Sequence, residues 1–388
     1  MIAYNKWFVD FFLFWQLFSN IQAQSFFYPN ISYGTDSLQK FDYWVADPIQ
    51  LRPVVIYFHG GAFRSGDKSL SQRHNTVKDY FIAHGISFIS SNYRLSRTTR
   101  VDSILSDSEL LIRFIKKNAA QFHIDSSAIG VYGSSAGGCL ALWLALNPNS
   151  SSDKTDTLVG ISTKISVAGH ITSPASVDMR TWSHIIGLDS NWMVTYNYNE
   201  DLNLYKIKDR SSYLDSFLIR LLDQINILNY LDADDTPVFY HNNNNPNPVP
   251  QSTDFPHHGR HAIYLDSLSQ IIGHRHLLNQ EQDADQALQS MCKYFCEYLE
   301  CLPTGISVHD DSYEVKKSDL GISISVKFVS SNYCIELIND TGQVIWNIKS
   351  NNSELIIPIS VYQHLSSGLL ILRIRTDQMT FAHRFYKD

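Results

Sequence analysis

Val131-Tyr132-Gly133-Ser134-Ser135-Ala136-Gly137-Gly138 joins an apolar strand to an apolar helix through a Gly-x-Ser-x-Gly turn. A side chain mounted on so sharp a turn needs neighbours without bulk, and Gly133 and Gly137 supply them while Ser135 stays exposed. The turn nominates Ser135 as a nucleophile, with the N-terminus of the following helix directed at the reacting centre. Small-residue turns occur in many α/β proteins, so the flanking sequence carries the assignment.

On both sides of this turn, from residue 25 to about 301, short apolar runs alternate with segments of helical period. Strands are expected at 54–58, 86–91, 129–132, 164–168 and 237–240. Helices are expected at 107–122, where Leu110, Leu111, Phe114 and Ile115 share a face, and at 283–299. This is the pattern of an α/β fold, a mostly parallel sheet covered by helices, with chemistry at the carboxyl ends of the strands. His59-Gly60-Gly61-Ala62-Phe63 follows one such end. Backbone N–H groups of Gly61 and Ala62, with that of Ala136, suit an oxyanion hole.

Near Leu302-Pro303-Thr304-Gly305 the pattern changes to strict short alternation, with strands expected at 322–328, 333–338, 344–348 and 369–374. A second, all-β domain of small-sandwich size is expected there. The chain thus reads as a signal peptide at 1–23, an α/β domain at 24–302 and a β-sandwich domain at 306–388.

The 388 residues carry a net charge of −7 without a basic stripe, which argues against a nucleic-acid partner. Lys6 precedes an apolar run at 7–18 and the small-residue site Ile21-Gln22-Ala23, so cleavage after Ala23 and export are expected. No later segment is apolar enough to span a membrane. Of five cysteines, Cys139 reads as a buried small hydrophobe. One pair among Cys292, Cys296 and Cys301 can close in an oxidising compartment, and the three make a poor zinc site.

His59-Gly60-Gly61, Asn92-Tyr93-Arg94-Leu95, Phe122-His123-Ile124-Asp125 and Gly133-Ser134-Ser135-Ala136-Gly137-Gly138 together resemble the carboxylesterase and hormone-sensitive-lipase-like branch of the α/β-hydrolase superfamily, over roughly 43–299. The resemblance implies that Ser135 attacks a carboxylic ester to give an acyl-enzyme, with no metal or cofactor. The superfamily order is Ser, acid, His, and His274 in Ile272-Gly273-His274 matches the family's Gly-His position for the general base, with His276 as its neighbour. His257, His258 and His261 read as a solvated loop.

The acid departs from the family pattern. His241 is followed by four asparagines, Val249-Pro250 arrives one residue late, and Asn245 occupies the family's aspartate position. Three readings stay open: Asp254 reaches His274 from a rearranged loop, the enzyme works slowly, or the scaffold is a catalytically impaired surface protein acting as a binding module. Trp182, Trp192 and Tyr196 either line a substrate cleft or pack a lid.

In the last domain, Ile335-Glu336-Leu337-Ile338-Asn339-Asp340-Thr341-Gly342, Leu365-Ser366-Ser367-Gly368-Leu369-Leu370 and the ending at Lys387 resemble the type IX secretion system sorting domain, although Leu370 replaces its usual tyrosine. This resemblance implies the export machinery as a partner, and a secreted or outer-surface location on a Gram-negative bacterium.

Overall fold

A computed structural model of the chain describes residues 26–147, 158, 160–247, 254–299 and 301, together with the strands between 313 and 387. The expected signal peptide 1–23, Val249-Pro250 and the turn 339–342 lie outside the described residues. The chain divides into two compact units, Met1–Cys301 and Leu302–Asp388.

The first unit is built on an eight-stranded sheet of β1 (Phe26–Ser32), β2 (Lys40–Val45), β3 (Arg52–Phe58), β4 (Ser87–Ser91), β5 (Ile124–Ser134), β6 (Val167–Ile171), β7 (Val238–His241) and β8 (His276–Asn279), in the order β1-β2-β4-β3-β5-β6-β7-β8. From β4 to β8 every neighbouring pair is parallel, and β1 and β2 add an antiparallel edge. Every residue of β4, β6 and β7 is buried, as in the centre of a parallel sheet covered on both faces, and the small or polar residues among them lie inside the fold.

Helices α1 (Gln72–Ala83), α2 (Val101–Lys117), α3 (Ala136–Leu146), α4 (Ser216–Ile225), α5 (Arg260–Ile272) and α6 (Ala284–Cys296) surround the sheet. Phe81 of α1 and Met291 and Phe295 of α6 form one apolar layer with Val55, Phe88 and Phe239. On the other face, Leu111, Leu140 and Leu265 of α2, α3 and α5 join a second layer with Val54, Ile56 and Val131.

The expected helix 107–122 begins earlier, at Val101, because Val101, Ile104 and Leu105 extend the buried stripe of Leu111, Ile112 and Ile115. It also ends earlier, where Lys116 and Lys117 meet the negative end of the helix dipole. The strand expected at 164–168 runs instead from Val167 to Ile171. Between β6 and β7 short helical turns such as Trp182–Ile186 and Glu200–Tyr205 form a cap. Cys296 and Cys301 are joined, while Cys139 and Cys292 are buried thiols.

The second unit holds two antiparallel sheets. One has β9 (Tyr313–Ser318), β10 (Gly321–Val326) and β13 (Glu354–Pro358); the other has β11 (Tyr333–Ile338), β12 (Val344–Ser350), β14 (Gly368–Arg375) and β15 (Thr380–Lys387). Ile335 and Leu337 alternate inward along β11. Among the described residues no helix is long and apolar enough to cross a membrane.

Candidate active site

Ser135 sits between the carboxyl end of β5 and the start of α3 at φ 54° and ψ −121°, a conformation that costs an L residue of the order of 1–3 kcal/mol. The surrounding structure over-determines it. A Cβ on Gly133 would come within 2.2 Å of the Gly137 backbone, and one on Gly137 within 2.0 Å of the Phe58 carbonyl oxygen. The Gly-x-Ser-x-Gly spacing is therefore a packing requirement of this corner. Ser135 N–H donates to Ile171 O at 3.0 Å.

The loop after β3 is held in a second unusual conformation, with φ of 115° at Gly61, 53° at Ala62 and 57° at Phe63. Arg64 and Ser65 N–H groups close back on Gly61 O, Ser96 N–H donates to Phe63 O at 2.6 Å, and Tyr93 Oη–H donates to His59 O at 2.7 Å. Gly61, Ala62 and Ala136 border the same cavity as Ser135. Ala136 is the first residue of α3, so its N–H has no intrahelical acceptor.

Nε2 of His257 lies 2.8 Å from Ser135 Oγ. On the far side of the ring, Nδ1 is 2.8 Å from Asp254 Oδ1. Both residues belong to one short segment, a single 3₁₀ turn at Phe255–His257 with Asp254 as its N-cap. Phe255 pins the turn: it is 1% exposed, and its ring lies 5.0, 5.1 and 5.7 Å from those of Trp192, Tyr196 and Tyr198. His261 supplies a further tie, taking Ala175 N–H on Nδ1 at 3.2 Å and donating from Nε2 to Phe255 O at 3.0 Å. Complete burial pushes the His261 ring down to about 3, so it serves as a neutral strut.

His274, the expected base, does not face Ser135. It follows the α5 C-cap and precedes β8, and in a parallel sheet that position is at the amino end of the strands, opposite the nucleophile turn. Its Nε2 donates to Thr236 O at 3.0 Å, its Nδ1 lies 3.3 Å from Ser269 Oγ, and burial lowers its pKa. His276 pairs with Asp266 at 3.0 Å.

The His257, His258 and His261 cluster is likewise no solvated loop, since His258 and His261 are buried and His257 meets the serine. Asp254 meets a histidine, but that histidine is His257. Asn245 Oδ1 accepts Asn247 N–H within its own loop. The sequence signal for this pair was an Asp-x-x-His step that still keeps the order Ser, Asp, His.

A cavity of about 400 Å³ opens beside Ser135 and His257, walled by Pro174, Val177, Met179, Trp182 and Leu204. Trp182 lines it, Trp192 stacks behind Trp182 at 5.9 Å, and Tyr196 packs on Phe255. Cys139 lies in the wall with its thiol pushed up to about 12 by burial, which leaves it inert. Among the described residues no cluster of His, Cys, Asp or Glu could hold a metal ion.

The chain is 32% identical over 136 residues to a juvenile hormone esterase of Heliothis virescens, covering 32% of this chain and 22% of that protein. It is 32% identical over 93 residues to the esterase LipI of Mycobacterium tuberculosis, covering 24% and 28%, and 30% identical over 103 residues to that organism's carboxylesterase NlhH, covering 26% and 32%. It thus spans no more than about a third of the length of these curated relatives.

Two solved structures share the fold. A truncated carbohydrate esterase from gut microbiota superposes with a TM-score of 0.53 at 16% identity, over 71% of this chain and 97% of that one. Esterase B from Lactobacillus rhamnosis gives 0.52 at 15%, over 76% and 94%. The first unit is accordingly an α/β-hydrolase-type fold. A family profile, BD-FAE, matches residues 43–257, from β2 through the turn that presents His257, and this span of more than half the chain shows that the protein belongs to the BD-FAE family.

Proposed function

We propose that this protein is an exported serine esterase. The observation that carries the reading is the relay from Ser135 Oγ through the His257 ring to Asp254, at 2.8 Å on each side. Similarity to proteins named as esterases supports the same chemistry.

Ser135 Oγ attacks the ester carbonyl carbon while His257 Nε2 takes its proton. Charge on the former carbonyl oxygen is met by backbone N–H groups of Gly61, Ala62 and Ala136. The tetrahedral adduct collapses as His257 returns the proton to the departing alkoxide, releasing an alcohol and leaving the acyl group on Ser135. Water, deprotonated by the same ring, then attacks the acyl carbon and restores Ser135 with release of the acid. Asp254 holds the Nδ1–H tautomer and balances the imidazolium, a role the asparagines of 242–245 have no charge to fill. The apolar wall around Trp182 and Met179 suits the hydrocarbon part of the ester. None of these steps calls for a metal or cofactor.

The N-terminal apolar run and the C-terminal resemblance to a sorting domain support export through the type IX machinery, to the medium or the outer surface of a Gram-negative bacterium. Fractionation of cells expressing the full chain and a chain ending at Cys301 tests this, and equal export of both would refute it.

For the chemistry, hydrolysis of a short p-nitrophenyl ester by wild type and Ser135→Ala is compared, with fluorophosphonate labelling of Ser135. Labelling and at least a thousandfold loss in the variant are expected. Equal rates without labelling would leave only a binding scaffold.

A further inference from the structure

We infer that the asparagine tract after β7 positions the general base: Asn242 and Asn244 hold the His257 backbone through side-chain amides, so that the imidazole meets Ser135. This inference rests on the reading of His257 as the base.

The 3₁₀ turn Phe255–His257 is three residues long, and the carbonyls at its C-terminal end have no donor within the turn. The tract supplies the donors. Asn244 Nδ2 donates to His257 O at 2.8 Å, and Asn242 Nδ2 donates to both His257 O and His258 O at 3.2 Å. Asn244 N–H in turn donates to Asn242 Oδ1 at 3.0 Å, which ties the two amides together.

Two further bonds continue the seam, from His258 Nε2 to Asn247 O at 3.0 Å and from Arg260 Nε to Pro246 O at 2.9 Å. The two segments run so close that a Cβ on Gly259 would lie 2.2 Å from Asn244 O. Asn242 is 3% exposed, so its amide works where a donor has no competing water. An aspartate in either place would lack the N–H groups and set negative charge against the carbonyls.

Asn243 points elsewhere, donating to Gln282 O at 2.8 Å, and therefore provides an internal control. A displacement of about 1 Å at a reacting group costs on the order of 100-fold in rate. The tract should accordingly act on kcat and leave substrate binding alone.

The test uses the full chain, a short p-nitrophenyl ester, fluorophosphonate labelling and urea unfolding. Asn244→Leu, at an exposed position, is expected to lower kcat and the labelling rate about tenfold, with KM within about twofold and an unchanged unfolding midpoint. Asn242→Leu is expected to lose about 100-fold, Asn244→Gln to recover most of the rate, and Asn243→Leu to match wild type. If Asn242→Leu fails to fold, the exposed Asn244 pair decides. Wild-type rates in Asn244→Leu, or equal losses in Asn243→Leu, overturn the positioning role while the esterase reading stands. A wild-type chain that neither turns over ester nor labels overturns both.

Discussion

His257 and His274 differ in what surrounds them rather than in kind. His257 touches a serine and a carboxylate, whereas His274 closes a buried carbonyl at the other end of the sheet. His257→Ala is expected to lower kcat by about three orders of magnitude or more at little cost in stability. His274→Ala is expected to keep kcat within about threefold and to lose about 1–3 kcal/mol by stranding the Thr236 carbonyl. Ester kinetics and urea unfolding of the two variants measure this crossed pattern, and the reverse pattern would restore His274 as the base. Asp254 adds a finer test. Its side chain is 54% exposed, so its hydrogen bond to the His257 ring contributes little to folding. Asp254→Asn should leave the unfolding midpoint in place yet lower kcat by about 10²- to 10⁴-fold, through loss of tautomer control and charge. A variant with full kcat would show that the ring orients itself.

At the scale of elements, the segment 254–257 combines two functional side chains with one anchor. Phe255 lies among three aromatic rings, and Asp254 and His257 emerge on either side of it. Phe255→Ala is expected to cost about 3–5 kcal/mol and also to depress kcat, because the turn loses its seat. Phe255→Leu, which keeps most of the volume, should recover much of both. Independent movement of stability and kcat across the two variants, measured by urea unfolding and steady-state kinetics, would argue against this coupling. The same segment explains what could be read from the sequence. The inner strands β3 to β7, the Ser135 turn and the loop at Gly61 were legible because burial on both sides and close backbone approach leave marks in composition and glycine spacing, whereas the exposed edge strand β1, its neighbour β2 and the short β8 carry no such mark. His257 was not, because its place depends on Phe255 finding Trp192, more than sixty residues away, and no local pattern records that contact. His274 carried the right local pattern, Gly then His, but β8 lies after it and not before, so strand polarity puts it at the wrong end. Asp254 reads from the sequence as the nearest carboxylate, yet its partner depends on the same unreadable packing.

Across the whole molecule, buried imidazoles couple the fold to pH. His170 and His261 are fully buried, and desolvation pushes them down to about 4 and about 3, respectively. In the unfolded chain both regain an ordinary histidine pKa near 6.5. Between these values the unfolded state binds more protons than the folded one, so their contribution is complete above about pH 6.5 and is lost as pH falls toward 4 and then 3. Two such groups impose a slope of at most about 3 kcal/mol per pH unit. Asp235 runs the other way: burial raises it to about 6, so the folded state takes up a proton first and gains relative stability on acidification. Asp178, also raised by burial, adds to Asp235, while His74, pushed down to about 4 by burial, adds to the two fully buried rings, so the three imidazoles keep the sign at acid destabilisation. Urea unfolding should therefore show a midpoint that holds above about pH 7 and falls steeply from about pH 6 to pH 4.5. In His261→Gln, whose amide has no proton to gain, the fall should be shallower by close to one proton's worth of slope. A wild-type midpoint that stays level down to pH 4.5, or a variant as steep as wild type, would mean that these rings are charged or hydrated in the folded protein. The neutral strut that ties the His257 turn to Ala175 would then have to be abandoned.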